Sequence, residues 1–141
     1  MWAALLPTLL YAFTLQQLSV SGGIDLGGVT GSYIGLLLLG AAVTAIGIAA
    51  SSLTANTVVA FIIGLLVSLL LYSGFDSISK LAGLPAESEY YLQMLGMKFH
   101  YSSISRGVMD TRDLFYFLAI TAYFLYITQH RMEHSGAPQR I

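Results

Sequence analysis

The stretches YIGLLLLGAAVTAIGIAA (residues 33–50) and TVVAFIIGLLVSLLLYSGF (residues 57–75) decide the fold, because neither contains a charged side chain. Between residues 1 and 75 of the sequence, Asp25 is the sole charged residue. In the bilayer core every backbone polar group must be hydrogen-bonded within the protein, so such long apolar runs form helices or the strands of a closed barrel. The runs lack the alternation of apolar and polar residues that barrel strands show. The sequence therefore predicts an all-α integral membrane protein.

The composition excludes several classes of function. Of the 141 residues, 56% are hydrophobic and 9% are charged, and the formal net charge is −1. Because the six Lys and Arg residues form no basic stripe, nucleic acid is not expected as a partner. The sequence has no cysteine, which rules out disulfides and thiolate catalysis. The length corresponds to one transmembrane domain, 1–141, with the lipid bilayer as its surroundings.

Four transmembrane helices are predicted, each near the lower length limit for a crossing. They are placed at about 3–20, 33–50, 57–75 and 114–129. Asn56 is expected to cap the third span. A signal peptide is the alternative for the first span, but no Lys or Arg precedes its apolar part, and Gln16 and Gln17 interrupt the approach to a cleavage site. A retained span is therefore expected, and the even number of crossings places both termini on the same side.

The long connector between the third and fourth spans, residues 76–113, contains most of the charged residues. Pro85 is expected to begin a short interfacial helix there, and Gly96 to end it. Asp110, with Asp113 three residues later, is typical of the N-terminal cap of the last span. We therefore expect the connector to be structured.

Two sets of residues are candidates for function or assembly. The first is a polar cluster at the mouth of the last span, for which helix capping and interfacial pairing are the alternatives to substrate contact: Arg106, Asp110, Arg112 and Asp113. The second is a stripe of small residues made of three glycines and then three alanines, each set spaced by four, which favours close helix packing within the chain or with a partner subunit: Gly27, Gly31, Gly35, Ala41, Ala45 and Ala49.

Residues 130–134, HRMEH, have the His-x-x-Glu-His spacing of inverted zinc peptidases. A catalytic zinc site of that kind needs a third protein ligand, and the seven residues after His134 include no Asp, Glu, His or Cys. We therefore interpret this stretch as a polar helix end. The sequence also lacks a Ser-His-Asp arrangement and a phosphate-binding glycine loop with its lysine. No catalytic residue, metal or cofactor is expected, and the chain is not predicted to be an enzyme.

Two blocks of sequence, in a fixed order, are similar to those of a known family. The first block consists of GSYIGL (31–36), AIG (45–47), SSLT (51–54) and VAFI (59–62). The second consists of His100, SISRGV (103–108), Asp110, RDL (112–114) and YF (116–117). Together with Asp25 in its glycine-rich surroundings, these blocks resemble the type-2 ABC transporter permeases of the gliding-motility-associated family.

The resemblance implies the C-terminal part of a six-span permease in the bacterial inner (plasma) membrane, with a cytoplasmic C-terminus. It also implies separate ABC ATPase subunits and a second permease copy or paralogue as partners. The positions of Lys and Arg favour the reverse orientation, because four lie in the connector and only Arg131 and Arg140 lie in the tail. We follow the resemblance on this point. The alternative function is a small membrane adaptor or assembly protein that transports nothing.

Overall fold

The described part of the chain is α-helical. The computed structural model describes residues 2–18, 25–81, 83, 85–108 and 110–135, and none of these lies in a β-strand. The helices are α1 Trp2–Leu18, α2 Leu26–Leu53, α3 Thr57–Leu69, α4 Phe75–Leu81, α5 Ala86–Gln93, α6 Met97–Ser105 and α7 Thr111–Ser135. A π-helical turn, Leu70–Gly74, joins α3 to α4 without a break. The all-α prediction is confirmed for these residues.

Two helices are long and apolar enough to cross a membrane. They are Gly27–Leu53 and Thr57–Leu81, whose most apolar 18-residue segments have mean hydropathies of 2.2 and 2.5. Most of the second helix is exposed, including Phe61 at 68% and Leu66 at 61%. Large apolar side chains exposed in this density are unusual for a soluble surface and are expected where lipid or another subunit covers the helix. Membrane association is therefore supported by two of the four predicted spans.

Side-chain caps fix where α2 and α3 begin. The Asp25 carboxylate accepts a hydrogen bond from the Gly27 amide at 3.0 Å, so α2 begins seven residues before the predicted span. The amide oxygen of Asn56 accepts from the Val58 and Val59 amides at 3.0 and 3.3 Å. The predicted Asn56 cap is thus confirmed. Each cap satisfies amides that have no carbonyl partner in the first turn of the helix.

Helix α2 lies at the centre of the fold and packs against α3, α6 and α7. Its small side chains allow close approach, and the buried cluster combines them with larger residues from α6 and α7: Ala42, Ile46, Met97, Ile104 and Phe117. Between helices in lipid, association depends on such close packing rather than on exclusion of water. Helix α6 is only nine residues long, but it belongs to the core because it contributes Met97 and Ile104 to this cluster.

The connector contains two helices where the sequence predicts one. Helix α5 begins directly after Pro85, as expected, but it ends at Gln93, before Gly96. Gly96 instead precedes α6, whose buried residues follow helical spacing: Met97, His100 and Ile104. The connector therefore folds back onto the core through α6, while α5 keeps its aromatic residues exposed.

The N-terminal end of α2 touches the C-terminal end of α6 backbone to backbone. A Cβ atom at Gly31 would lie 2.2 Å from the Ile104 carbonyl oxygen. Gly107 ends α6 with a φ of +81°, and a Cβ there would lie 2.9 Å from the carbonyl carbon of Gly27. The Ser32 hydroxyl donates to the carbonyl of Ser105 at 3.3 Å. This contact requires glycine in α2 and just after the end of α6, because any larger residue would push the two segments apart.

Candidate functional site

A buried ionisable pair joins α6 to α7. His100 and Asp113 are 2% and 4% exposed, and His100 Nδ1 lies 2.6 Å from Asp113 Oδ1. The other ring nitrogen, Nε2, lies 2.9 Å from the carbonyl oxygen of Met94. A buried carboxylate is costly unless it is paired and hydrogen-bonded. The His100 ring therefore links α7 to the end of α5 as well as to α6.

The partners of the imidazole determine how many protons the pair holds. A carbonyl oxygen can only accept, so Nε2 must carry a hydrogen and donate it to Met94. A second proton must then lie between Nδ1 and Asp113 Oδ1, because without it two lone pairs would face each other at 2.6 Å. The pair is either an imidazolium with a carboxylate or a neutral imidazole with a carboxylic acid. In both forms it holds two protons in all.

Tyr116 completes the attachment of α5 to α7. Its ring stacks on His100 with centroids 3.9 Å apart and an interplanar angle of 24°. Its hydroxyl donates to the carbonyl oxygen of Leu95 at 2.5 Å. The two carbonyls that follow α5, those of Met94 and Leu95, thus both accept from buried or half-buried side chains. We call His100, Asp113, Tyr116 and these two carbonyls the connector joint.

One oxygen of the connector joint has no hydrogen-bond partner among the described residues. Asp113 Oδ2 is buried, while Oδ1 holds the contact with His100. An aspartate three residues after a helix cap often reaches back to the amide of the cap residue. Here the carboxylate turns to His100 instead. Asp113 therefore serves the contact between helices rather than the start of α7.

An apolar groove opens beside the connector joint, between α5 and α7. Its volume is about 800 Å³, and it is lined by Tyr91, Met94, Leu95, His100, Thr111, Arg112, Phe115 and Tyr116. The His100 ring forms part of this wall, so movement of α5 would change both the groove and the exposure of the buried pair.

The structure assigns separate tasks to the four residues of the predicted polar cluster. Asp110 caps α7 by accepting from the Arg112 amide at 3.1 Å. The Arg106 side chain is exposed and donates from Nε to the Ser102 carbonyl at 2.9 Å. The Arg112 guanidinium lies against the sulfur of Met94. Among the described residues, no ion pair joins these arginines to Asp110 or Asp113.

The stripe of small residues on α2 contacts helices of this chain along much of its length. Gly31, Gly35, Ala45 and Ala49 are buried, whereas Gly27 and Ala41 are exposed. Next to Gly35 lies the ring of Tyr101 on α6, 3.2 Å from where a Cβ would stand. Farther along α2, Ala50 meets Gly64 of α3, with 3.5 Å between the alanine Cβ and a Cβ built on the glycine. The stripe thus packs against α6 at Gly31 and Gly35, whereas the contact with α3 is made by Ala50, next to Ala49 of the stripe.

An exposed ion pair connects α4 to α6. Asp76 accepts from Lys98 at 2.8 Å and from Lys80 at 3.0 Å. The hydrogen bond to Asp76 raises the pKa of Lys98 above its ordinary value. A raised lysine pKa favours the folded state at neutral pH, and this contribution is lost as the pH rises through the raised value. Because Lys98 is exposed, water screens the pair and its effect on stability is small.

The His-x-x-Glu-His stretch lies at the end of α7. The His130 ring is parallel to that of Tyr126, with centroids 6.2 Å apart, and Glu133 accepts from Gln129 at 3.2 Å. The side chain of His134 lies outside the described residues. In the part of the chain that the structure describes, no three His, Cys, Asp or Glu side chains come together in a group able to hold a metal ion.

Comparison with known proteins yields no relative. No family model, no curated protein and no solved structure matches the chain.

Proposed function

We propose that this chain is a transmembrane permease subunit, the C-terminal part of an ATP-driven ABC exporter in the bacterial inner membrane. The observation that carries the proposal is that the two sequence blocks behind the family resemblance lie against each other. Gly31 in the first block meets the carbonyl of Ile104 in the second, and Gly107 meets Gly27 just ahead of the first block. Residues about 70 positions apart in the sequence are thus in contact, which supports the view that the two blocks belong to one structural unit.

The proposal requires four crossings, two more than the described helices establish by length and hydropathy. Helix α1 has 17 residues, and its exposed side chains are largely apolar, including Leu10 at 69% and Leu18 at 74%. Helix α7 has 25 residues and exposes Phe115 at 73% and Tyr126 at 67%. Exposed aromatic and aliphatic side chains of this kind suit lipid or a neighbouring subunit.

In this proposal the work of the chain is mechanical. ATP is hydrolysed by separate ABC ATPase subunits, and a second permease copy or paralogue completes the pathway. Closure of the ATPases changes the side of the membrane to which the pathway opens, as a rigid-body movement of packed helices. The substrate contacts helix faces, and no side chain of this chain acts as a catalyst.

Purification from native membranes tests the proposal. We expect an ATPase with a phosphate-binding loop to be recovered, by mass spectrometry of the eluate, with the chain or with a version extended by two upstream spans. The matched control is the same purification of an unrelated four-helix membrane protein of similar size. Recovery of partners from both versions without any ATPase would contradict the permease proposal and favour the adaptor.

A further inference from the structure

We propose that His100 and Asp113 form a proton-binding site that keeps α5 docked on α7, and that loss of the shared proton releases α5 from the connector joint. The observations are the burial of both side chains, the 2.6 Å contact between them and the 2.9 Å contact of Nε2 with the Met94 carbonyl. This site is independent of the proposed transport function, since it follows from contacts within the chain.

The docked and released forms bind different numbers of protons. When docked, the pair holds two: one on Nε2 and one shared between Nδ1 and Oδ1. When released into water above about pH 6.5, imidazole is neutral with one proton and a carboxylate has none. The docked form therefore binds one proton more at neutral and alkaline pH. By linkage, raising the pH favours release, with the ratio of released to docked molecules growing about tenfold per pH unit.

In the described part of the chain, no neighbouring positive charge takes the place of the shared proton beside Asp113. Tyr116 of α7 is the titratable group stacked on the ring. The Arg112 guanidinium, the nearest cation along α7, lies against Met94 rather than against Asp113. On α6, Lys98 is bound to Asp76. Helix α2 contributes no charged residue, and the π-helical turn contributes only Tyr72 as a titratable side chain. Helix α5 carries Glu87, Glu89, Tyr90 and Tyr91 and no cation. Among the described residues, no cation therefore replaces the imidazolium beside the Asp113 carboxylate.

Release has a defined structural consequence. Helix α5 packs against α4, and Gln93 donates to Ser79 at 3.3 Å, so its attachment on that side is unaffected. On the other side, its last turn is held by His100 and Tyr116 through the carbonyls of Met94 and Leu95. Losing the His100 bond removes one of these two contacts and moves the ring on which Tyr116 stacks. We expect the remaining Tyr116 bond to be too weak to hold this end, so that α5 moves away from α7. The groove between them widens, and His100 becomes accessible to water.

Spin labels on α5 and α7 test the proposal in the full chain. The sequence contains no cysteine, so Ser88→Cys and Ala119→Cys, both at exposed positions, place one label on each helix. The chain is reconstituted in lipid nanodiscs, and distances are measured by pulsed electron resonance from about pH 5 to pH 9, the range across which His titration is readily observed. We expect one short distance at the acidic end and a growing longer population toward the alkaline end.

The variant Asp113→Asn gives the sharpest contrast, because it reverses the expected direction. An asparagine amide donates to Nδ1 of a neutral imidazole, while Nε2 still donates to Met94, so docking needs no shared proton. This variant should be docked at alkaline pH. In acid the amide oxygen can still accept from a protonated Nδ1, but the buried imidazolium then has no carboxylate to balance its charge, so we expect release at acidic pH. The matched control is His130→Gln on the exposed end of α7, which should keep the response of the parent protein.

Nitrogen NMR of the labelled histidine rings provides a second readout that does not depend on a variant. We expect the Nδ1 signal of His100 to report a bound or shared proton at acidic pH and to lose it over the same pH range in which the label distance grows. A distance distribution unchanged across the pH range would overturn the proposal. So would an Asp113→Asn variant that opens in the same direction as the parent, or an Nδ1 signal that does not move.

Discussion

At the scale of single residues, Asp113 is the side chain whose burial depends most on one partner. The residue is 4% exposed, and the one carboxyl oxygen that has a hydrogen-bond partner among the described residues contacts a histidine thirteen positions earlier. The pair matters to stability chiefly when it is broken, because removing one partner of a buried pair destabilises the fold by much more than the intact pair stabilises it. The consequences of changing either residue therefore depend on what happens to the other.

Replacing His100 with leucine should strongly destabilise the protein. The variant leaves Asp113 buried without a partner, and the expected cost is about 3–5 kcal/mol of unfolding free energy. Denaturant unfolding in mild detergent, followed by helical circular dichroism, measures the loss. The control His130→Leu changes an exposed histidine on the same scaffold and should stay within about 0.5 kcal/mol of the parent. Equal stabilities for the two variants would contradict the assignment of His100.

The double variant His100→Leu/Asp113→Leu should recover most of that loss. Replacing both members of a buried pair with apolar residues removes the unpaired charge, and such changes are often neutral or stabilising. The same unfolding assay gives a double-mutant cycle, in which we expect a coupling energy at least as large as the recovered stability, about 3 kcal/mol or more. Additive effects of the two substitutions would mean that the side chains act independently.

The cap of α7 offers a smaller and separate test. Asp110→Ala removes the acceptor of the Arg112 amide and should cost about 1 kcal/mol of unfolding free energy. Asp110→Asn retains a capping oxygen and should cost little. If the alanine and asparagine variants were equally unstable, the charge of Asp110 rather than its cap would be the important property.

Among the helices, the contact between α2 and α6 determines where the connector can lie. Both sides are built from glycine, and the close approach fixes α6 in the angle between α2, α7 and the π-helical turn. His100 is presented to Asp113 as a result. The connector joint is therefore a consequence of helix packing as well as of its own hydrogen bonds.

The glycines of α2 provide a matched pair of substitutions for this contact. Gly31→Ala places a Cβ 2.2 Å from the Ile104 carbonyl oxygen, and the resulting displacement should cost about 1–3 kcal/mol. Gly47→Ala meets nothing within 4 Å and should be neutral or stabilising by up to about 1 kcal/mol, because alanine favours helix. Thermal unfolding in detergent compares them. If Gly47→Ala were the less stable of the two variants, Gly31 would not lie in the contact between α2 and α6.

The elements that could be predicted from the sequence are those with long apolar runs and local caps. Helix α3 and its Asn56 cap follow from adjacent residues, as does the start of α5 after Pro85. Helix α6 could not be predicted in this way, because nine residues show little periodicity and one of its buried positions is a histidine. The pairing of His100 with Asp113 depends on how α6 packs, which no local pattern encodes. The buried spacing of Met97, His100 and Ile104 is the signal that was available.

For the whole molecule, the central proposal is that four helices cross the membrane, two more than the two described helices that are long and apolar enough to do so. With four crossings, the loop at residue 55 and the end of α7 lie on the same side, and α5 lies on the opposite side. With only α2 and α3 crossing, the end of α7 lies on the side of α5. The position of the end of α7 therefore distinguishes the two arrangements.

Single-cysteine labelling measures this directly, since the chain has no native cysteine. The variants Ala55→Cys, Ser88→Cys and Glu133→Cys, all at exposed positions, are treated with a membrane-impermeant maleimide in intact and in permeabilised cells. Four crossings predict that Ala55→Cys and Glu133→Cys react under the same condition and Ser88→Cys under the other. With the proposed cytoplasmic C-terminus, Ser88→Cys reacts in intact cells and the other two only after permeabilisation. Labelling of Glu133→Cys together with Ser88→Cys, and apart from Ala55→Cys, would contradict the account.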